Sequence, residues 1–204
     1  MKVRPLAVLL PLLLASGKVA AGEAVRWPVP AVGLIAADAA ASAPPDFKRI
    51  LAKHSARLME GVKTGLATSP VRDAAARRSA LASGARRIGQ SIREHRPFAD
   101  VAYEAGGLVA EASLLFAPPG PSPVETDLLA LARSGATFRG FGARPFESPE
   151  TLVEAKLPAG TPREAYDSGL TLSARLLAWI WNTAGGDASV ALARPESKGP
   201  YPVR

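Results

Sequence analysis

The chain has no cysteine and only two histidines, His54 and His95, among its 204 residues. The missing thiol excludes disulfides, thiolate metal ligands, a cysteine nucleophile and a lipid attached at a leader cysteine. An exported protein built this way rests on packing alone. Aromatic residues make up only 6% of the chain, whereas hydrophobic residues make up 48%. The core must therefore come mostly from Ala, Leu, Val and Ile, which suits close-packed helices better than a sheet. Long apolar runs are also missing. The most apolar stretch, Leu6 to Leu14, is too short to span a bilayer.

That stretch has the form of an export leader. Lys2 and Arg4 precede it, and Val19-Ala20-Ala21 supplies small residues before a cut at Gly22. The domain reading is a signal peptide over 1–21, a helical domain over 22–188 and a loosely ordered tail over 189–204. An uncleaved anchor is the alternative, because Lys18 sits beside the cleavage point. Losing Lys2, Arg4 and Lys18 with the leader lowers the net charge from +7 to +4. That charge permits contact with anionic lipid or nucleic acid without demanding it.

Residues 22–31 read as an extended lead and Val32 to Ala41 as a short alanine-rich helix, ended by Pro44. A second helix is expected from about Pro45 to Leu66. Phe47, Ile50, Leu51, His54, Leu58 and Val62 fall on one face of it. Ser69-Pro70 reads as the cap and first turn of a third helix, with Leu81, Ala85, Ile88 and Ile92 as its buried stripe. Its arginines are spread over the other faces without interleaved aromatics, so specific nucleic-acid binding is not expected. Pro97 opens a helix over about 97–117 that is apolar on most of its circumference. Such a helix belongs in the middle of a bundle. A shorter helix is expected over about 123–133, followed by an irregular Gly/Pro-rich stretch through Pro158. The last long helix starts at Thr161-Pro162 and ends at Gly185-Gly186-Asp187. The fold class is all-α, a single-domain helical bundle.

Three stretches carry a likeness. They are Trp27-Pro28 with Gly33-Leu34-Ile35-Ala36, then Ala102-Tyr103-Glu104-Ala105-Gly106-Gly107-Leu108-Val109, and then Tyr166-Asp167 through Trp179-Ile180-Trp181. Together they resemble the zinc-dependent phospholipase C and P1-nuclease-like family, and Pro118 fits that family's pattern. The resemblance implies its helical bundle, with the 97–117 helix at the centre. It also implies a zinc cluster held by His and Asp residues and by an N-terminal Trp. The ligand positions differ here. Ala110 stands where the family's central helix has a His, and Leu114 where it has an Asp. A cut after Ala21 would leave Trp27 internal, with no free amine for metal.

Zinc needs three or four converging His or carboxylate ligands per ion, and no His pair at helical spacing occurs. No G-x-S-x-G, P-loop or G-x-G-x-x-G pattern occurs either. Asp100, Glu104 and Glu111 share one strip of the 97–117 helix within about 40° of each other, but the outer two are roughly 16 Å apart along its axis. Their expected role is salt bridging to the arginines of the preceding helix. Gly106-Gly107 is read as a place of close helix packing. His54 reads as a core or boundary residue and His95 as an exposed helix end. Trp179 and Trp181 point in different directions, one into the core and one available to an interface.

The sequence thus points to an exported, periplasmic or extracellular protein with no cofactor, acting by binding or as a scaffold in the envelope. Its candidate polar or binding residues are Asp100, Glu104, Glu111, His54, Trp27 and Trp179. Its candidate partners are an envelope protein or an anionic membrane surface. The alternative is a zinc phosphodiesterase of phospholipase C or nuclease type, with a rearranged site using Asp100, Glu104 and His54.

Overall fold

The computed structural model describes residues 27–70, 73–117, 130, 137–141 and 147–189. Among these the chain is helical without a strand. The helices are α1 (Val29–Ser42), α2 (Pro45–Lys53), α3 (Ser55–Thr68), α4 (Ala74–Arg93), α5 (Phe98–Leu115), the short α6 (Pro149–Val153) and α7 (Pro162–Thr183). The leader, the helix expected over about 123–133 (save Ala130) and the tail beyond Ser189 lie outside the described residues.

Several boundaries differ from the sequence expectation, each for a local reason. α1 begins at Val29 rather than Val32, because Pro30 in its first turn supplies a fitting φ and lacks only an N–H that would be unpaired there. The helix expected over 45–66 is broken at His54, whose φ of −108° and ψ of 28° separate α2 from α3. The break lets α2 lay Phe47 flat on Trp181, ring centres 5.0 Å apart, while α3 stays against α5. Ser69 does not cap α4. Its hydroxyl is used by Glu111, and the Asp73 carboxylate caps the helix by accepting from Ala76 N at 2.7 Å. The Gly/Pro-rich stretch is not wholly irregular, since Ser148 caps α6 within it.

α5 touches α1, α2, α3, α4 and α7, so it occupies the middle of the bundle. Its tightest neighbour is α3. A Cβ added to Gly61 would overlap the Tyr103 carbonyl, and one added to Gly106 would overlap the Leu58 carbonyl. A Cβ on Gly65 would come 2.8 Å from the Ala110 methyl. Small residues on both helices thus bring the two backbones into direct contact, which only glycine permits. The expectation of close packing at Gly106 holds, but its partner glycines on α3 were not recognised.

Burial is deepest on α7, where every residue from Ala165 to Ile180 is buried. A capping box starts it. Thr161 Oγ1 accepts from Glu164 N at 3.2 Å, and Glu164 Oε2 accepts from Thr161 N at 3.1 Å. Gly185, with φ of 90°, ends it, and Gly186 N donates to Trp181 O at 2.9 Å. Gly186 also makes room for the Trp181 ring, which a Cβ there would overlap.

Gly61→Ala and Gly106→Ala should each cost about 3 kcal/mol, because the added methyl has backbone rather than a movable side chain in its way. Gly107→Ala meets nothing closer than 3.9 Å and should gain up to about 1 kcal/mol from helix propensity. Urea denaturation midpoints of the three variants check the contrast.

Candidate functional site

α3, α4 and α5 diverge on one side of their contact and leave an open groove of about 390 Å³. Gly61, Gly65, Gly84 and Gly107 lie along it and keep it clear of side chains. Thr64, Thr68, Ser83 and Tyr103 add hydroxyls, and Glu104 and Glu111 add carboxylates two helical turns apart. The groove follows from the glycines, because helices that touch at their backbones have no side chains to fill the angle where they part.

Both carboxylates are engaged. Glu111 accepts from the Ser69 hydroxyl at 2.6 Å and pairs with Arg77, and Arg77 also donates to Ser69 at 3.2 Å. The Arg77 side chain is only 10% exposed and that of Glu111 18%, so each needs the other to be charged there. Glu104 pairs with Arg96 at 3.0 Å through Oε1 and with Arg87 at 4.0 Å through Oε2. Oε2 is buried and accepts no hydrogen bond. Asp100 lies outside the groove, 3.9 Å from Arg57, whose guanidinium also covers the Tyr103 ring at 4.9 Å. The expected salt bridges to the preceding helix are present for Glu104 and Glu111, whereas Asp100 pairs with α3 instead.

The remaining candidates stand elsewhere. His54 is half-buried at the α2–α3 break and lines neither this groove nor the α1–α3 cleft described below. Trp27 is buried, edge-on to Tyr166 with ring centres 6.4 Å apart. Trp179 is buried on α7, while Trp181 is the partly exposed one and stacks on Phe47. His95 is exposed and ends α4 in the left-handed conformation, φ 58°.

Positions 110 and 114 bear on metal binding. Ala110 is fully buried with its methyl against Gly65, so an imidazole there would strike α3. Leu114 packs against the core as a partly buried side chain. Among the described residues no three His or carboxylate groups gather. Among the described residues, those at positions 110 and 114 do not fit the zinc cluster of the resembled family.

Two polar features escaped the sequence reading. Asp38, on the alanine-rich α1, accepts from the Tyr166 hydroxyl at 3.3 Å. Burial pushes the Asp38 carboxyl above its ordinary range, partly offset by this hydrogen bond. Burial first, and then the Asp38 charge and hydrogen bond, push Tyr166 far above the usual phenol range. On α7, Asp167, Thr171 and Arg175 recur at four-residue steps and hold one backbone stretch. Thr137 N donates to Asp167 at 2.8 Å, Arg139 N to Thr171 at 3.1 Å, and Arg175 Nε to Gly140 O at 2.7 Å. A lone Asp in an apolar helix and polar residues repeating every fourth position were the available signals.

Arg77→Met should cost about 3 kcal/mol by stranding the Glu111 charge, and adding Glu111→Leu should restore most of the loss. Chemical denaturation of the single and double variants checks this. The Asp38–Tyr166 pair predicts two pH limbs. Asp38 binds its proton more tightly folded than unfolded, so stability falls as pH rises from the ordinary carboxylate range through its raised value. Asp38→Asn should remove that limb. Above a pH of about 10, an unfolded Tyr166 ionises while the folded one resists, so stability falls again. Tyr166→Phe should reduce the alkaline limb. Melting temperature against pH for the three proteins reads both.

Compared with family models, curated proteins and solved structures, the chain gives no match.

Proposed function

We propose that this chain is an exported, non-catalytic helical protein of the zinc-dependent phospholipase C and P1-nuclease-like architecture, acting by binding or as a scaffold in the cell envelope. The observation that carries this reading is Ala110. It stands at the position of a family metal ligand, and its methyl fills the contact with Gly65. A hydrocarbon group cannot coordinate a cation, and this position has no space for a ligand that could. The carboxylates support the reading as well. Arg77, Arg87 and Arg96 already neutralise Glu104 and Glu111, so a divalent cation would have to displace guanidinium groups.

Most of the basic side chains on and just after α4 are likewise engaged within the molecule. Arg86 pairs with Glu150 at 2.6 Å and Arg78 lies 3.9 Å from Glu154, tying α6 to α4. Arg93 donates to Thr183 O at 3.1 Å at the end of α7. These contacts favour a protein partner over an anionic membrane surface, because the arginines needed for lipid headgroups hold the bundle's own elements.

Elemental analysis of the mature protein, purified without chelator, should find less than stoichiometric zinc. An assay with a generic phosphodiester and added divalent ions should find no turnover. Stoichiometric zinc, or turnover that disappears in Glu104→Ala, would replace this reading with a phosphodiesterase using a rearranged site.

A further inference from the structure

A second cavity, of about 380 Å³, lies on the other side of the bundle, between α1, α2 and α3. Its walls are almost entirely hydrocarbon: Ala37 and Ala41 from α1, Leu51 and Ala52 from α2, and Leu58 and Met59 from α3. The space exists because alanine stands where larger side chains would meet across the cleft. Leu34, exposed by 36%, continues the α1 wall outward at helical spacing with Ala37 and Ala41. The Met59 methyl rests over Gly33, where a Cβ would come within 2.5 Å of it. Methionine is unbranched and readily changes rotamer, so this wall can yield to an occupant. A cavity of this size with apolar walls and few polar groups has the form of a small-molecule site.

The polar groups decide which molecule fits. Lys48 is the charged residue lining the cleft among the described residues, and Ser55 adds a hydroxyl. Among the described residues no carboxylate lines it. Of the acidic residues near it in sequence, Asp46 pairs with Arg49 at 2.5 Å and Asp38 is held by Tyr166. Lys48 is exposed and has no hydrogen bond or ion pair among the described residues. It falls on the same face of α2 as Leu51 and Ala52, three and four residues on, so its side chain runs along the apolar wall. The α3–α4–α5 groove differs, since it carries two carboxylates along with Arg87.

We propose that the α1–α2–α3 cleft binds a single-chain fatty acid, its hydrocarbon along the alanine and leucine walls and its carboxylate on Lys48. An apolar cleft selects an alkyl chain, and an unpaired ammonium at its wall selects an anionic head over a neutral or cationic one. This occupancy depends neither on export nor on the metal-free reading of the groove, and either can fail without the other.

Calorimetric titration of the purified full-length protein with octanoate, decanoate, dodecanoate and myristate, each below its micelle threshold, tests it. Affinity should rise about fourfold per added methylene, then level off once the chain outgrows the cleft. Lys48→Gln should weaken each acid about tenfold and leave its methyl ester unchanged. Ala52→Trp fills the cleft from an exposed position and should abolish binding, with an unchanged circular dichroism spectrum showing that the fold is kept. Three results would overturn the proposal. One is affinity independent of chain length, or acid and ester bound equally by both the wild type and Lys48→Gln. Another is binding to phosphatidylglycerol vesicles with none to free acids, which would mark a membrane-docking face. The last is a dimer disrupted by Ala52→Trp without acid binding, which would assign the cleft to a second copy of the chain.

Discussion

The backbone contact between α3 and α5 is the constraint on which the rest of this bundle depends. Gly61 and Gly106 face each other's helices with no Cβ between them, and Gly65 lies against Ala110. Helix pairs separated by ordinary side chains sit roughly 8–10 Å apart. Removing those side chains lets two backbones meet, and dispersion is gained along the whole line of contact. The cost is paid in side-chain volume: the angle on the α4 side of the contact stays open as the groove, with Glu104 and Glu111 on its wall. One choice of small residues therefore creates both the tightest packing and the most polar concavity described here.

Charge in this protein is used mainly to join elements. Arg77 reaches Glu111 from α4 to α5, Arg86 and Arg78 reach α6, and Arg96 reaches back along the connection to Glu104. The exposed pairs contribute little individually. The Ser69–Arg77–Glu111 group is different, because both charges are mostly removed from water and each would be costly alone. α7 meets a related problem with one ion pair along the helix, Arg163 to Asp167 at 3.5 Å, and with contacts to backbone. Asp167, Thr171 and Arg175 are buried, and each also bonds the backbone of residues 137–140. Residues 137–141 thereby become part of the core, and Phe138 and Phe141 are carried into it, ring centres 4.9 Å apart.

The clefts on either side of α3 contrast in chemistry. Among the described residues the α4 side is lined by glycine, hydroxyls and paired ions, whereas the α1 side is hydrocarbon with the Lys48 side chain. The contrast follows from the faces of α3 itself. Gly61, Thr64, Gly65 and Thr68 fall on one side of that helix, and Ser55, Leu58 and Met59 on another. A helix with two such faces separates two environments that a single amphipathic stripe would have merged.

Local chemistry in the sequence was enough to determine the helical class, the span of α5, the capping box at Thr161 and the glycine stop at Gly185, since each depends on residues within one or two turns. It was also enough to show that Glu104 and Glu111 share a strip and lie near arginines. Which arginine each would meet was not legible, because Arg77 and Glu111 are 34 positions apart and only the crossing of α4 over α5 joins them. The break at His54 was hidden for the same reason. Nothing in residues 50–58 forbids a continuous helix, and the chain bends there to satisfy Phe47 against Trp181 and Gly61 against α5 together. The burial of α7 was masked by its own polar residues, whose partners lie in a segment some 30 positions earlier. Propensity and periodicity act over a few residues, but burial and pairing are set by what the rest of the chain brings alongside. That is why the helices could be read from the order of residues, and the two clefts only from their packing.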